Sequence, residues 1–345
     1  AKSFILNQQH GHYEKRAGTA FTGRTPSDRV IRSGYPSKLV MENISVNQGS
    51  YKKSIDNLFA AIYHRFVFLD FDKDEIGIAS YRTKKKRRMN SAYVYNLGSK
   101  GISKLCSQNF IMESGQYYMK EICKNKDKML PKSLFEKKKD FIRSKNNPIV
   151  IYPYAGQKDI WPAFYNESPD PLPYYKVSGF PVSVQFNPLN YKNVQLKSFT
   201  LHDDKGKEIK DMKILQHNND HNNLFKKLQF ALMPLKRLDF STVYTAEFKA
   251  IADGKPIQKR WVFRTTVLKE KVYRISEDRT DIRVRAGANV VLYIVPNSKN
   301  NIINSYKYKG KLKVTFLDQN TLKVKVSSRA SSLDFGRRKV FFSIE

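Results

Sequence analysis

Apolar and polar positions alternate with two different periods along this chain, and the change of period divides it. In SYKKSIDNLFAAIYH, residues 50–64, the residues Tyr51, Ile55, Leu58, Phe59 and Ile62 recur at helical spacing. Ser50 stands where an N-cap belongs, and Ala60 and Ala61 favour helix near the end. A second helix is predicted after TPSD, capped by Ser27 or Asp28 and stopped by Gly34. EIGIASY and SAYVYNLG read as strands on either side of the basic connector RTKKKRRMN. A further helix is expected in LPKSLFEKKKDFIRS, where Pro131 and Ser133 open it and Leu134, Phe135 and Phe141 give it an apolar side. NPIVIYPYAGQKDIWPAFYNESPDPLPYY is proline- and aromatic-rich and extended, and its ESPDPLP turn marks a boundary.

From GFPVSVQFNP onward the period is two. Short apolar runs separated by polar turns, the hairpin signal ADGK, and Trp261 and Phe263 alternating onto one face predict an immunoglobulin-like sandwich of about 100 residues. Residues 270–345 alternate again, in DIRVRAG, NVVLYIVP and KLKVTFLDQNTLKVKVSS, and predict a smaller terminal β domain. At 345 residues the chain exceeds what one core usually organises. The expected division is 1–168, 169–268 and 269–345, and the expected class is α+β.

Charge adds a partner to this outline. Lys and Arg number 63 against 31 Asp and Glu, a formal charge of +32. Residues 81–150 alone carry 18 basic and five acidic side chains. Such a surface attracts polyanions, and the expected partner is an anionic envelope polymer, a lipid or a protein. KKKRR at 84–88 could touch phosphates, but no nucleic-acid module accompanies it, so it reads as a solvated hairpin tip and no specific nucleic-acid partner is expected. No apolar run approaches the ~20 residues of a spanning helix. The two cysteines, Cys106 and Cys123, permit a local disulfide and lean the reading towards an oxidising compartment. A start at Ala1 without Met reads as a mature secreted or periplasmic product whose signal peptide has been removed.

Candidate chemistry gathers near the N-terminus: His12 in HGHYEKR, Glu42 in ENIS and His64 in IYHRF, with Glu14 one polar step beyond His12. Two imidazoles and a carboxylate in one cleft could hold a divalent metal such as zinc, with His12 and His64 as ligands, or relay a proton through water. Read singly, His64 is a helix C-terminal cap, His12 an exposed loop residue and Glu42 a cap on a neighbouring helix. QHNNDHNN offers His217, Asp220 and His221, with the histidines four apart, yet its Asn run argues for a loop. Neither cysteine neighbours a histidine in an activating pattern, and GxSxG, GxxxxGK[ST] and GxGxxG are all missing.

FTGRTPSDRVIRSGY, then ENIS, then SIDNLFAAIYHRFVFLDFDKDEIGIA resembles the bacterial branch of the CAP superfamily, which groups cysteine-rich secretory, antigen 5 and pathogenesis-related proteins. The resemblance covers about residues 8 to 98. It implies a three-layer α-β-α sandwich with a cleft lined by His12, Glu42 and His64. The family's second carboxylate falls at Ala61 here, so the cluster is incomplete unless Glu14 substitutes. On this reading the chain is a binding protein of the cell envelope. The alternatives are a metal-assisted hydrolase acting on an envelope substrate, with Glu42 as general base, and an adhesion or scaffold protein acting through its β domains.

Overall fold

The computed structural model describes residues 1–15, 18–85, 87–165, 167–298 and 301–345. The N-terminal region runs α1 (Lys2–Asn7), α2 (Pro26–Arg32), β1 (Met41–Val46), α3 (Tyr51–Ala60), α4 (Ile62–Phe68), β2 (Glu75–Arg82), β3 (Ser91–Gly98) and α5 (Lys100–Cys106). Its sheet is antiparallel in the order β1-β3-β2. Strand alternation gives that sheet two apolar faces. Ile44, Val46, Ala92 and Val94 meet Phe4 and Ile5 of α1, while Tyr93 and Tyr95 on the opposite face meet Leu58 of α3.

The predicted helix over 50–64 is two helices. Ser50 caps α3 through the Lys53 amide as its sequence position implies, but Ala61 turns extended (φ −83, ψ 116) and the chain starts again as α4. The reason is burial in two directions: α3 packs on the small sheet, whereas Ile62, Tyr63 and Phe66 of α4 join Leu215, Phe225, Ala231 and Met233 of the next body. In α2 the N-cap is Thr25, which exchanges side-chain and backbone bonds with Asp28 in a capping box, ahead of the predicted Ser27 or Asp28.

Cys106, the last residue of α5, is disulfide-bonded to Cys123. Beyond it come β4 (Tyr118–Met119), β5 (Leu130–Pro131) and the expected helix, α6 (Lys132–Arg143). The chain then enters a sandwich through β6 (Ile149–Tyr152), β7 (Gln157–Ile160), and the short ladder of β8 (Ala163–Phe164) with β9 (Ser178–Gly179). Six further strands complete it: β10 (Val182–Phe186), β11 (Val194–His202), β12 (Met212–Gln216), β13 (Gln229–Pro234), β14 (Val243–Ala252) and β15 (Lys255–Thr265). The sheets are β12-β13-β10-β6 and β11-β14-β15-β7, so the sandwich takes one strand of each sheet from before residue 168. Trp261 and Phe263 lie in its core with Phe186, Phe199, Phe230 and Phe248. The ADGK hairpin forms with Asp253 and Gly254 at φ 47 and 81, a turn that Gly254 makes without steric cost.

The third body is a second sandwich. Its sheets are β16 (Val272–Ile275), β18 (Asn289–Ile294), β21 (Thr321–Val326) and β20 (Leu312–Asp318) in the order β16-β18-β21-β20, and β17 (Arg279–Val284), β23 (Lys339–Ile344), β22 (Ala330–Asp334) and β19 (Lys307–Lys309) in the order β17-β23-β22-β19. Leu292, Leu322, Val324, Leu333, Val340 and Phe342 fill the space between them.

The expected fold class is therefore corrected. The chain is mostly β, 38% strand against 14% helix, and the α-β-α sandwich of a CAP domain is not supported. Helices touch both faces of the three-stranded sheet, but as segments of six to ten residues, and α4 turns away to cover the sandwich. The β-sandwich, Ig-like part of the expectation is compatible with the structure.

Candidate functional site

Strand alternation decides which of the expected residues meet. Glu42 and Asn43 are consecutive on β1 and therefore face opposite sides of the sheet. Glu42 shares the α1 side with Ile44 and Val46, and there its Oε1 lies 3.1 Å from His12 Nδ1. Asn43 faces the other side and donates through Nδ2 to the carbonyl of His64, 2.9 Å away. The ring of His64 turns to Glu167, with Nδ1 2.7 Å from Oε2. The structure thus brings His12 and Glu42 together and leaves His64 bound elsewhere.

The His12–Glu42 pair has one wet and one dry member. The His12 side chain is 55% exposed and that of Glu42 is 0% exposed. Arg29 of α2 fixes the carboxylate: its Nη2 donates to Oε1 at 2.7 Å, and its guanidinium also reaches the carbonyls of Arg24 and His12. Charge-assisted bonds of this kind fix the orientation of a buried carboxylate. Glu42 Oε2 is buried and, among the described residues, has no hydrogen-bond partner. Arg29 is the functional neighbour that sequence reasoning missed; its only signal was its place in TPSDR, next to the capping box that aims α2 at β1.

Glu14 also points inward. It is buried, accepts from the hydroxyl of Ser3, and among the described residues its Oε2 likewise has no partner. Burial pushes its carboxyl up from the usual range, while Arg29 pulls the other way. An exposed imidazole held through Nδ1 by a buried carboxylate leaves Nε2 towards solvent, the arrangement that lets a histidine take or give a proton.

His64 occupies the first turn of α4 instead of ending a helix. No side chain at Ala61 caps α4. The carboxylate of Glu167 does so from about a hundred residues away, accepting from the amides of Tyr63 (3.1 Å) and His64 (3.3 Å) as well as pairing with the imidazole. QHNNDHNN is also a docking element. Asp220 accepts from the Tyr63 hydroxyl and from the amides of Asn222, Leu224 and Phe225, and His217 Nδ1 meets the carbonyl of Phe225. Among the described residues no group of three His, Cys, Asp or Glu side chains could hold a metal ion. KKKRR lies partly outside the described residues, at Lys86.

No family model matches the chain, and no curated protein matches it. Among solved structures it is similar to the endo-fucoidan hydrolase MfFcnA4 from glycoside hydrolase family 107, at 11% identity over 67% of this chain and 34% of that one, with a TM-score of 0.24. MfFcnA9 of the same family gives 9% identity over 66% and 40%, with a TM-score of 0.25. The titin pair A168–A169 gives 11% over 57% and 98%, with a TM-score of 0.18. The chain spans about a third to two fifths of the length of the fucoidan hydrolases. At these scores the likeness carries no argument about function. The resemblance to the CAP superfamily is corrected by the fold, which is mostly β without the α-β-α sandwich, and by the lack of any matching family model.

Proposed function

We propose that the chain is a binding protein for an anionic polymer of the cell envelope. The observation that carries the reading is a lysine row on the outer face of β20 and β21. Their register sets Lys313 directly opposite Lys325, with Lys323 opposite Thr315 two positions on. Like charges so placed destabilise a sheet. Lys323 is paired with Glu270, but among the described residues no acidic side chain pairs with Lys313 or Lys325, and both are exposed. An extended polyanion would relieve that repulsion, and the formal charge of +32 would draw it in. The Cys106–Cys123 disulfide supports an oxidising compartment for the encounter.

Titration calorimetry with heparin as probe and neutral dextran as control tests this. Heparin should bind and dextran should not, and the double variant Lys313→Ser/Lys325→Ser should bind heparin about fivefold to tenfold more weakly. Equal affinity of the double variant for heparin would remove this face as the site.

The His12–Glu42 pair favours a second reading, a hydrolase in which His12 takes a proton from water while Glu42 orients the imidazole. Glu42→Gln should then abolish turnover of the bound polymer and spare its affinity. If the wild-type chain leaves polymer length unchanged over long incubation, the enzyme reading ends.

A further inference from the structure

We infer that the disulfide-bounded loop between α5 and β4 docks the protein on an anionic lipid bilayer, with Ile111, Met112 and Tyr117 entering the headgroup layer. This does not rest on the lysine face of the third body. Every residue from 111 to 117 is exposed, and Ile111 and Tyr117 are 88% and 81% exposed, the two largest values among the exposed large hydrophobic side chains of the chain. Met112 adds 49%. Isolated apolar side chains on a surface are ordinary, but three on one projecting tip are not.

The tip is built to stay out. Cys106 and Cys123 pin its two ends into a core with Ile102, Leu105, Leu130 and Phe135, so the loop cannot fold back by opening its base. Within it the amide of Glu113 donates to the Tyr118 hydroxyl at 2.8 Å. The amide of Lys132 donates to the Tyr117 carbonyl, also at 2.8 Å, and the Lys132 ammonium lies 5.9 Å from the Tyr117 ring centre. Those bonds hold the apolar side chains on a braced frame.

Charge selects lipid as the occupant. Lys132 is exposed beside Tyr117 and Lys120 is exposed just after β4, while Lys124 and Lys126 are exposed near the Cys123 base, and among the described residues none of the four belongs to an ion pair. Apolar side chains flanked by ammonium groups outside ion pairs match the interface of an acidic leaflet, where each cation near the surface and each buried methylene adds to binding. Four carboxylates share the region, Glu113, Glu121, Asp127 and Glu136, the last lining a hollow with Gln116, Tyr117 and Lys132. Glu113 sits on the tip itself, bonded to Gln116, and a charge there limits entry to headgroup depth.

Flotation of the full chain with vesicles provides the test. Vesicles of phosphatidylcholine with about 30 mol% phosphatidylglycerol should carry the protein at ~0.1 M salt, and pure phosphatidylcholine should carry far less. The triple variant Ile111→Ser/Met112→Ser/Tyr117→Ser changes only exposed side chains and should keep its thermal midpoint while its partition falls about tenfold or more. Lys120→Ser/Lys132→Ser should narrow the difference between the two vesicle types. In a Tyr117→Trp variant, brominated lipid should quench the added emission. Failure of the wild-type chain to float with acidic vesicles overturns the inference. So does undiminished flotation of the triple variant, which would assign any binding to net charge alone.

Discussion

Asp220 is the sharpest test of how the first two bodies are joined. Its side chain is 3% exposed, and its two oxygens serve four donors: Oδ1 takes the Tyr63 hydroxyl (2.5 Å) and the Asn222 amide (3.2 Å), and Oδ2 takes the amides of Leu224 (2.7 Å) and Phe225 (3.0 Å). Asp220→Ala strands all four. Each buried donor left unmade costs about 1–3 kcal/mol, and with partial rescue by water at the loop the sum should be about 4 kcal/mol. Asp220→Asn keeps one accepting oxygen, which can serve Leu224 and Phe225, and should cost about 2 kcal/mol. The assay is guanidinium unfolding followed by tryptophan emission, since Trp161 and Trp261 both lie in the sandwich region. The slope with denaturant should stay constant while the midpoint falls.

A pH series adds a signed check. The Tyr63 hydroxyl and the loop amides outweigh burial and hold the Asp220 carboxyl below the usual range. A depressed folded value stabilises above the unfolded value of about 4, and that contribution is lost as pH falls through the folded value. The gap between wild type and Asp220→Asn should therefore be full at neutral pH and should close below about pH 4. A cost under about 1 kcal/mol for Asp220→Ala, or a gap that ignores pH, would refute the account of this carboxylate as the clasp.

Substitutions at two further positions probe the seams. Arg65 is fully buried and, among the described residues, has no carboxylate partner; it donates to the Phe59 carbonyl and the Ser183 hydroxyl and lies over the rings of Tyr152 and Phe180, and burial pushes it down to about 10. Because a lysine cannot reproduce the planar fork and stack, Arg65→Lys should lower stability by about 2 kcal/mol and Arg65→Ala by about 4, read from denaturation midpoints. Asp318 receives Trp161 Nε1 (3.0 Å) and the Tyr165 hydroxyl (2.6 Å) and pairs with the buried Arg237. Asp318→Ala should shift Trp161 emission and cost about 3–5 kcal/mol, seen as early unfolding of residues 270–345 in hydrogen exchange.

Local chemistry was legible in the sequence, and long-range pairing was not. Ser50, the ADGK turn and the alternation through Trp261 and Phe263 act through neighbours a few residues away, so their outcome follows from spacing. The break at Ala61 depends on two bodies that claim opposite sides of one helical run, and nothing within 50–64 records the second claimant. The runs VSVQF and QFALMP carried a hint. β10 and β13 are buried on both faces, and their outward residues Ser183, Gln185, Ala231 and Met233 are covered by the N-terminal region. The short words behind the CAP resemblance have local work here: TPSDR caps α2 and brings Arg29 to Glu42, and the His64 of IYHRF meets Glu167. His12 meeting Glu42 needed only one strand face, whereas including His64 required ignoring that Glu42 and Asn43 look in opposite directions.

The extended residue at position 61 also fixes how this polypeptide can be handled. A break in the chain between the small sheet and the first sandwich would strip an oily ridge from one fragment and bare the matching trough on the other, so neither half should behave as a free-standing, transplantable module. Any relative swivel of the two would have to tear the same surfaces apart, and they should tumble together as one object.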